Sequence, residues 1–282
     1  MKHRWPITSF LILTLISTRL SAQDQSPATI DQETCTVKLS DGLELQVIGL
    51  CDHPLDGQSW WKPDGSKLEN PPYDKMEGSV SGADKKIRHV ALRIANHPQV
   101  PDTIDVDYTP PANGSSSSTP TLNGQETRDL QARLMAFPGD AAAITVKFKV
   151  ATGEWKTTAK KEGQSFSASN SSDEGFIWTT PHADGKRTAI VLAFYGKKRG
   201  MDKRLIAVDR QGKEHTAWSS YSSGLKDVSV FECTFDLKLS QIKEYQLQQR
   251  DYDTVVEFKN VSLDRDQHQN VEIEVRGVQE GD

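Results

Sequence analysis

The chain has 282 residues, 35% of them hydrophobic, and a formal charge of −5 at pH 7. That is enough apolar material for one large β domain or two ordinary ones. An acidic balance without a basic block excludes nucleic acid, whose binding rests on neutralising phosphates, and the basic amphipathic helix of a membrane-surface binder is also missing.

The N-terminus reads as an export signal over residues 1–22. Lys2, His3 and Arg4 give a positive start, Phe10 to Ile16 is a short apolar run, and Leu20-Ser21-Ala22 ends in a small residue suited to cleavage. Removing Lys2, Arg4 and Arg19 with no acid takes the formal charge from −5 to −8. No later stretch reaches the roughly 18 apolar residues of a spanning helix, so no transmembrane span is expected after signal removal.

Strand signals dominate the rest of the chain. Thr36 to Leu39 and Leu43 to Ile48 alternate around the Asp41-Gly42 turn. The stretch from Gly42 to Asp74 then ends in a loop that carries Trp60, Trp61 and Tyr73. In Ile87 to Ala95 the cleaner apolar face is Val90, Leu92 and Ile94. Ile104 to Tyr108 sets Asp105 and Asp107 against Ile104, Val106 and Tyr108. Strands are expected at Ala132 to Phe137, Ile144 to Val150 and Trp155 to Ala159, while 109–128, rich in Pro, Gly and Ser, reads as a surface loop. Further strands are expected at Thr188 to Tyr195, Arg204 to Asp209, Val228 to Phe235, Tyr245 to Gln248, Val255 to Leu263 and Val271 to Val275, with one helical turn near Ser240 to Lys243. Short strands between turn signals predict an all-β fold of two β-sandwich modules, immunoglobulin-like or jelly-roll-like, with one larger sandwich as the alternative. The low-complexity run from Gly163 to Gly175 places the boundary, giving a first module at 23–162 and a second at 163–282, with return of the C-terminal segment onto the first module as the alternative that blurs it.

Catalytic signatures are missing from the sequence. There is no His-Glu-x-x-His, no Gly-x-Ser-x-Gly, no phosphate-cradling glycine loop and no dinucleotide fingerprint. Ser223 and Lys226 match a Ser-x-x-Lys spacing without its companion motifs, so no catalytic residue is assigned. Asp105 with Asp107, Asp251 with Asp253 and Asp264 with Asp266 are acidic pairs of the kind that hold calcium in extracellular β modules, and Asp105 and Asp107 are the candidate metal ligands. Solvated strand faces and turns are the plainer reading of all three pairs. Cys35 and Cys51 lie at the outer ends of the first hairpin and are the candidate disulfide of an exported chain, with Cys233 left over; three buried thiols are the alternative. Trp60, Trp61 and Tyr73, with His53 beside them, are the candidate ligand-binding residues, since indole and phenol rings stack on sugars and on apolar partners. The competing reading makes the rings core.

Two segments together, Gly42 to Asp74 with its HPLDGQSWWKPDGS core and Ile242 to Leu263 (IKEYQLQQRDYDTVVEFKNVSL), resemble a module of planctomycete bacteria. It follows BlaR-type membrane metallopeptidase domains or sigma-factor regions and also occurs in stand-alone exported proteins. Asp251 stands where that module has proline, and Thr254-Val255 makes the run one residue longer. The resemblance implies a β-rich, non-catalytic, extracytoplasmic segment and carries no catalytic residue over. The expectation is therefore an exported binding or sensing module, periplasmic or extracellular, for a glycan or an envelope protein, with no cofactor unless calcium. The alternatives are a structural envelope scaffold and a carboxylate-dependent glycoside hydrolase.

Overall fold

A computed structural model describes residues 28–55, 59–80, 82, 84–96, 104–118, 120–127, 130–170, 174–196, 201–217, 219–225 and 228–279, with the strands at 113–118 and 219–225 described by backbone alone. The expected signal, residues 1–22, lies outside these. Among the described residues the fold is all-β, with a single 3-10 turn at Leu239–Gln241 and no helix long and apolar enough to cross a membrane.

The strands form antiparallel sheets that pack in pairs. Sheet I runs Thr29–Asp31, Thr36–Lys38, Glu44–Asp52, Lys85–Ala95, Leu130–Pro138, Asn113–Ser118, with Trp60–Trp61 added to Glu44–Asp52. Sheet II runs Glu272–Gly277, Thr254–Ser262, Ala143–Val150, Asp105–Thr109. Their facing sides make one core. Val90, Leu92 and Ile94 meet Ile144, Val146, Phe148 and Val150, all buried, as alternation with Thr145, Lys147 and Lys149 requires. Alternation breaks in Glu44–Asp52, where the register against Lys85–Ala95 slips between Val47 and Gly49 and Leu50 turns in beside Leu45 and Val47, and again in Thr254–Ser262. Asn260 takes φ 59°, the register against Ala143–Val150 slips, and Val261 and Leu263 turn in beside Val256 and Phe258.

The second pair holds its own core. Sheet III runs Lys156–Glu162, Ile242–Asp251, Met201–Asp209, Glu214–Thr216; sheet IV runs Ser167–Asn170, Glu174–Trp178, Arg187–Gly196, Val228–Phe235, Ser219–Leu225. Trp178, Ile190, Leu192, Phe231, Phe235, Tyr245 and Leu247 fill the space between them.

The division expected at Gly163 does not coincide with these sheets. Lys156–Glu162, placed in the first module, pairs with Ile242–Asp251 of the second sandwich. Thr254–Ser262 and Glu272–Gly277, placed in the second module, pair with Ala143–Val150 and with each other. The second sandwich is thus inserted between Val150 and Thr254 of the first. Asp253 ties the two connections together, its carboxylate accepting from the Thr152 N–H and hydroxyl and from the Gly153 N–H at 2.9–3.1 Å. A second departure is the low-complexity run after Thr109, where Asn113–Ser118 forms a strand because Leu130–Pro138 offers it a ladder.

Candidate ligand-binding cleft

The turn Lys62-Pro63-Asp64-Gly65-Ser66 comes directly after Trp61. The Asp64 carboxylate accepts from the Ser66 N–H and hydroxyl at 2.9 and 2.7 Å, and Gly65 takes φ +88°. The turn is stitched to the chain after Thr254–Ser262. The Ser262 N–H donates to the Pro63 carbonyl at 2.7 Å, the Asp266 N–H to that of Gly65 at 2.9 Å, and the Gln269 N–H to that of Asp64 at 3.0 Å. Trp61 adds its indole N–H to the Ser262 carbonyl at 3.0 Å. Tryptophan, turn and the end of the VEFKNVSL strand therefore form one wall.

Beside that wall lies a cleft of about 590 Å³, bounded by Gln32, Glu33 and Cys35 on one side, by Lys62, Pro63 and Asp64 along the turn, and by 269–273 opposite. Pro63, Val271 and Ile273 give it apolar patches. The side chains of Gln32, Glu33, Lys62, Gln269 and Glu272 make no hydrogen bond or ion pair among the described residues, although they line a concave site. Carboxylates buried or half-buried elsewhere are matched: Glu257 by Lys147 and Arg276, Asp264 by Lys86 and Arg88, Asp202 by Arg250. Burial alone would raise the Asp64 carboxyl, but the Ser66 hydrogen bonds and the charges of Lys62 and His268 outweigh it and hold the group below its ordinary value. Burial and then the Asp64 and Asp31 charges push the Cys35 thiol up to about 11, which keeps it protonated and non-nucleophilic at neutral pH.

The residues expected to bind ligand lie elsewhere, and they are mostly core. Trp60, Trp61 and Tyr73 are at most 1% exposed. Trp61 faces the main core of the first sandwich, and Trp60 faces the other side of sheet I, meeting Tyr73 edge to face at 4.8 Å. Adjacent strand residues point to opposite faces, which is why the pair splits. His53 is exposed, with Nδ1 3.1 Å from Nε2 of the buried His89, whose Nδ1 lies 3.3 Å from the Tyr73 hydroxyl. Burial and then His53 pull His89 down to about 4. The cluster pins residues 53–55 and 59–76 onto the sheet and presents no open aromatic face.

The expected Cys35–Cys51 disulfide is not formed; both thiols are free and buried, as is that of Cys233. The Val47 N–H donates to the Cys35 carbonyl, which places Cys35 four strand residues, ~13 Å, from the level of Cys51, beyond bridging reach. Cys35 packs in the core and Cys51 against Trp60 and Tyr73 on the other face. Asp105 and Asp107 share a strand face as expected, but the Lys149 ammonium lies 3.9 and 2.9 Å from them, where a metal cation would sit. Burial and the Asp107 charge raise the Asp105 carboxyl. Among the described residues no three His, Cys, Asp or Glu side chains gather to hold a metal ion. Asp253 and Asp264 are structural clamps. Lys226 and the Ser223 side chain lie outside the described residues.

The cleft residues carry no sequence signal beyond the KPDGS turn, because three segments far apart in the chain build it. Compared with known proteins, the chain matches no family, no curated protein and no solved structure.

Proposed function

We propose that the chain is an exported, non-catalytic binding protein that takes a glycan in the cleft between residues 32–35, 62–64 and 269–273. One observation carries this reading: Gln32, Glu33, Lys62, Gln269 and Glu272 line a concave site, and their side chains make no hydrogen bond or ion pair among the described residues. Amide side chains offer a donor and an acceptor together, which suits sugar hydroxyls, and Pro63, Val271 and Ile273 supply apolar surface for the C–H face of a ring. The volume is that of a small-ligand site. Glu33, Asp64 and Glu272 outnumber Lys62, so the cleft favours neutral or amine-bearing saccharides over uronic or sulfated ones. Export, to the periplasm or outside the cell, rests on the N-terminal signal pattern.

The test is a glycan array and polysaccharide pull-down with residues 23–282 beside a Gln269→Ala/Glu272→Ala variant. Binding to neutral glycans that weakens by about tenfold or more in the folded variant, about 1.4 kcal/mol, supports the reading. Failure of the wild-type chain to retain any glycan would overturn it in favour of an envelope protein partner or a scaffold.

A further inference from the structure

Sheet II ends on Glu272–Gly277, which pairs with Thr254–Ser262 and has no strand on its other side among the described residues. The Val278 N–H donates to the Asp253 carbonyl at 3.0 Å. Antiparallel pairs alternate, so Glu272, Glu274 and Arg276 turn their backbone groups to Thr254–Ser262, while Ile273, Val275 and Gly277 turn theirs outward. Of those outward groups, only the Gly277 carbonyl has a partner among the described residues, the guanidinium of Arg276. This is an open edge.

Its side chains alternate as well. Ile273 and Val275 lean on the core of the first sandwich yet stay only half-buried. On the outer face Glu257 takes Lys147 and Arg276 at 3.3 and 3.0 Å, and Lys259 pairs with Glu274, whose side chain is still 46% exposed. An acid and a base therefore stand two residues apart on the edge strand. The opposite edge strand of sheet II, Asp105–Thr109, has Asp105 and Asp107 and no base, so self-pairing there sets acid against acid.

We infer that Glu272–Gly277 is the seam of a homodimer, in which the same strand of a second copy pairs with it antiparallel and continues sheet II. Charge complementarity selects both the occupant and the register. With Val275 opposite the second copy's Val275, Ile273 meets Gly277 on the core side, and Glu274 meets the second copy's Arg276, once on each side of the two-fold axis. The outward backbone groups of Ile273, Val275 and Gly277 are then satisfied. Glu274 and Arg276 fall at the closer positions, about 4.5 Å between Cα atoms, where opposite charges help most. The row of charges runs unbroken across the seam, from Lys147, Glu257 and Arg276 of one copy to Glu274 and Lys259 of the other. Sliding the second copy by two residues either way sets Glu274 against Glu274 or Arg276 against Arg276. The seam adjoins the cleft at Glu272 and Ile273 and needs no ligand there.

The test is sedimentation equilibrium of residues 23–282 over a wide concentration range. The wild type is expected to reach twice the single-chain mass. Glu274→Arg and Arg276→Glu each bring like charges together at the seam. Each is expected to weaken self-association by about tenfold or more while keeping the wild-type circular dichroism spectrum. Mixed in equal amounts, the two variants are expected to pair with each other, because every reversed charge then faces its opposite. Should either reversal fail to fold, Val275→Pro takes its place: it gives up an N–H that the single chain leaves unused, and is expected to abolish the dimer. A wild type that stays at single-chain mass throughout, a dimer indifferent to these substitutions, or two folded variants that stay apart when mixed overturns the inference.

Discussion

Trp61 ties sequence to architecture through one side chain. It is fully buried, it has the Arg88 guanidinium 5.7 Å from its ring centre, and its N–H closes on the Ser262 carbonyl. Trp61→Ala removes the ring and leaves that carbonyl without its donor, and should lower stability by about 3–5 kcal/mol in urea unfolding; Trp61→Phe, which keeps most of the packing, should lose clearly less. His89 gives a pH signature. Its folded pKa, about 4, lies below the 6.5 of an exposed histidine, so the unfolded chain takes up the proton first. The contribution is fully present above pH 6.5 and is lost as pH falls to about 4, amounting to about 3 kcal/mol. Urea midpoints measured from pH 7.5 to 4 should fall over that window, and His89→Asn should flatten the fall. The aromatic stretch was legible in the sequence as a cluster, but its role was not. A tryptophan that lines a sugar site and one that fills a core look alike until the opposing sheet supplies Ser262 and the core around Trp61, some two hundred residues away.

At the scale of the element, turns and strands show where local chemistry suffices. Gly42 and Gly65 share φ +88°, yet a Cβ on Gly42 meets nothing within 4 Å while one on Gly65 would come within 2.4 Å of the Gln267 carbonyl oxygen. Gly42→Ala should therefore cost about 1 kcal/mol for backbone strain alone, and Gly65→Ala about 3 kcal/mol as the 262–269 wall is pushed away. Thermal or urea unfolding of the two variants side by side checks the difference. The strand with clean alternation, Ile144 to Val150, was readable because side-chain period and burial agree, whereas Ile87 to Ala95 is buried on both faces. Asn113–Ser118 was not readable, since serine has little strand preference and only its neighbour's open ladder holds it. The slip at Asn260 was likewise invisible, because alternation assumes an unbroken register.

At the scale of the molecule, nesting replaces the division at Gly163. A low-complexity run marks a place where the chain is polar, not a place where the sheets part, and pairing between Ala143–Val150 and Thr254–Ser262 spans the whole second sandwich. A fragment of residues 23–162 lacks two strands of sheet II and should show no cooperative unfolding transition by circular dichroism; a sharp transition would contradict the nesting. The nesting also brings the 262–273 segment back to the KPDGS turn, and with it the cleft. Hydrogen–deuterium exchange of residues 23–282, with and without a hydrolysate of neutral polysaccharides, tests the binding reading most directly. Slowed exchange is expected at the amides of 32–35, 62–66 and 269–273. Unchanged exchange there, or protection confined to another face of the protein, would contradict binding in the cleft.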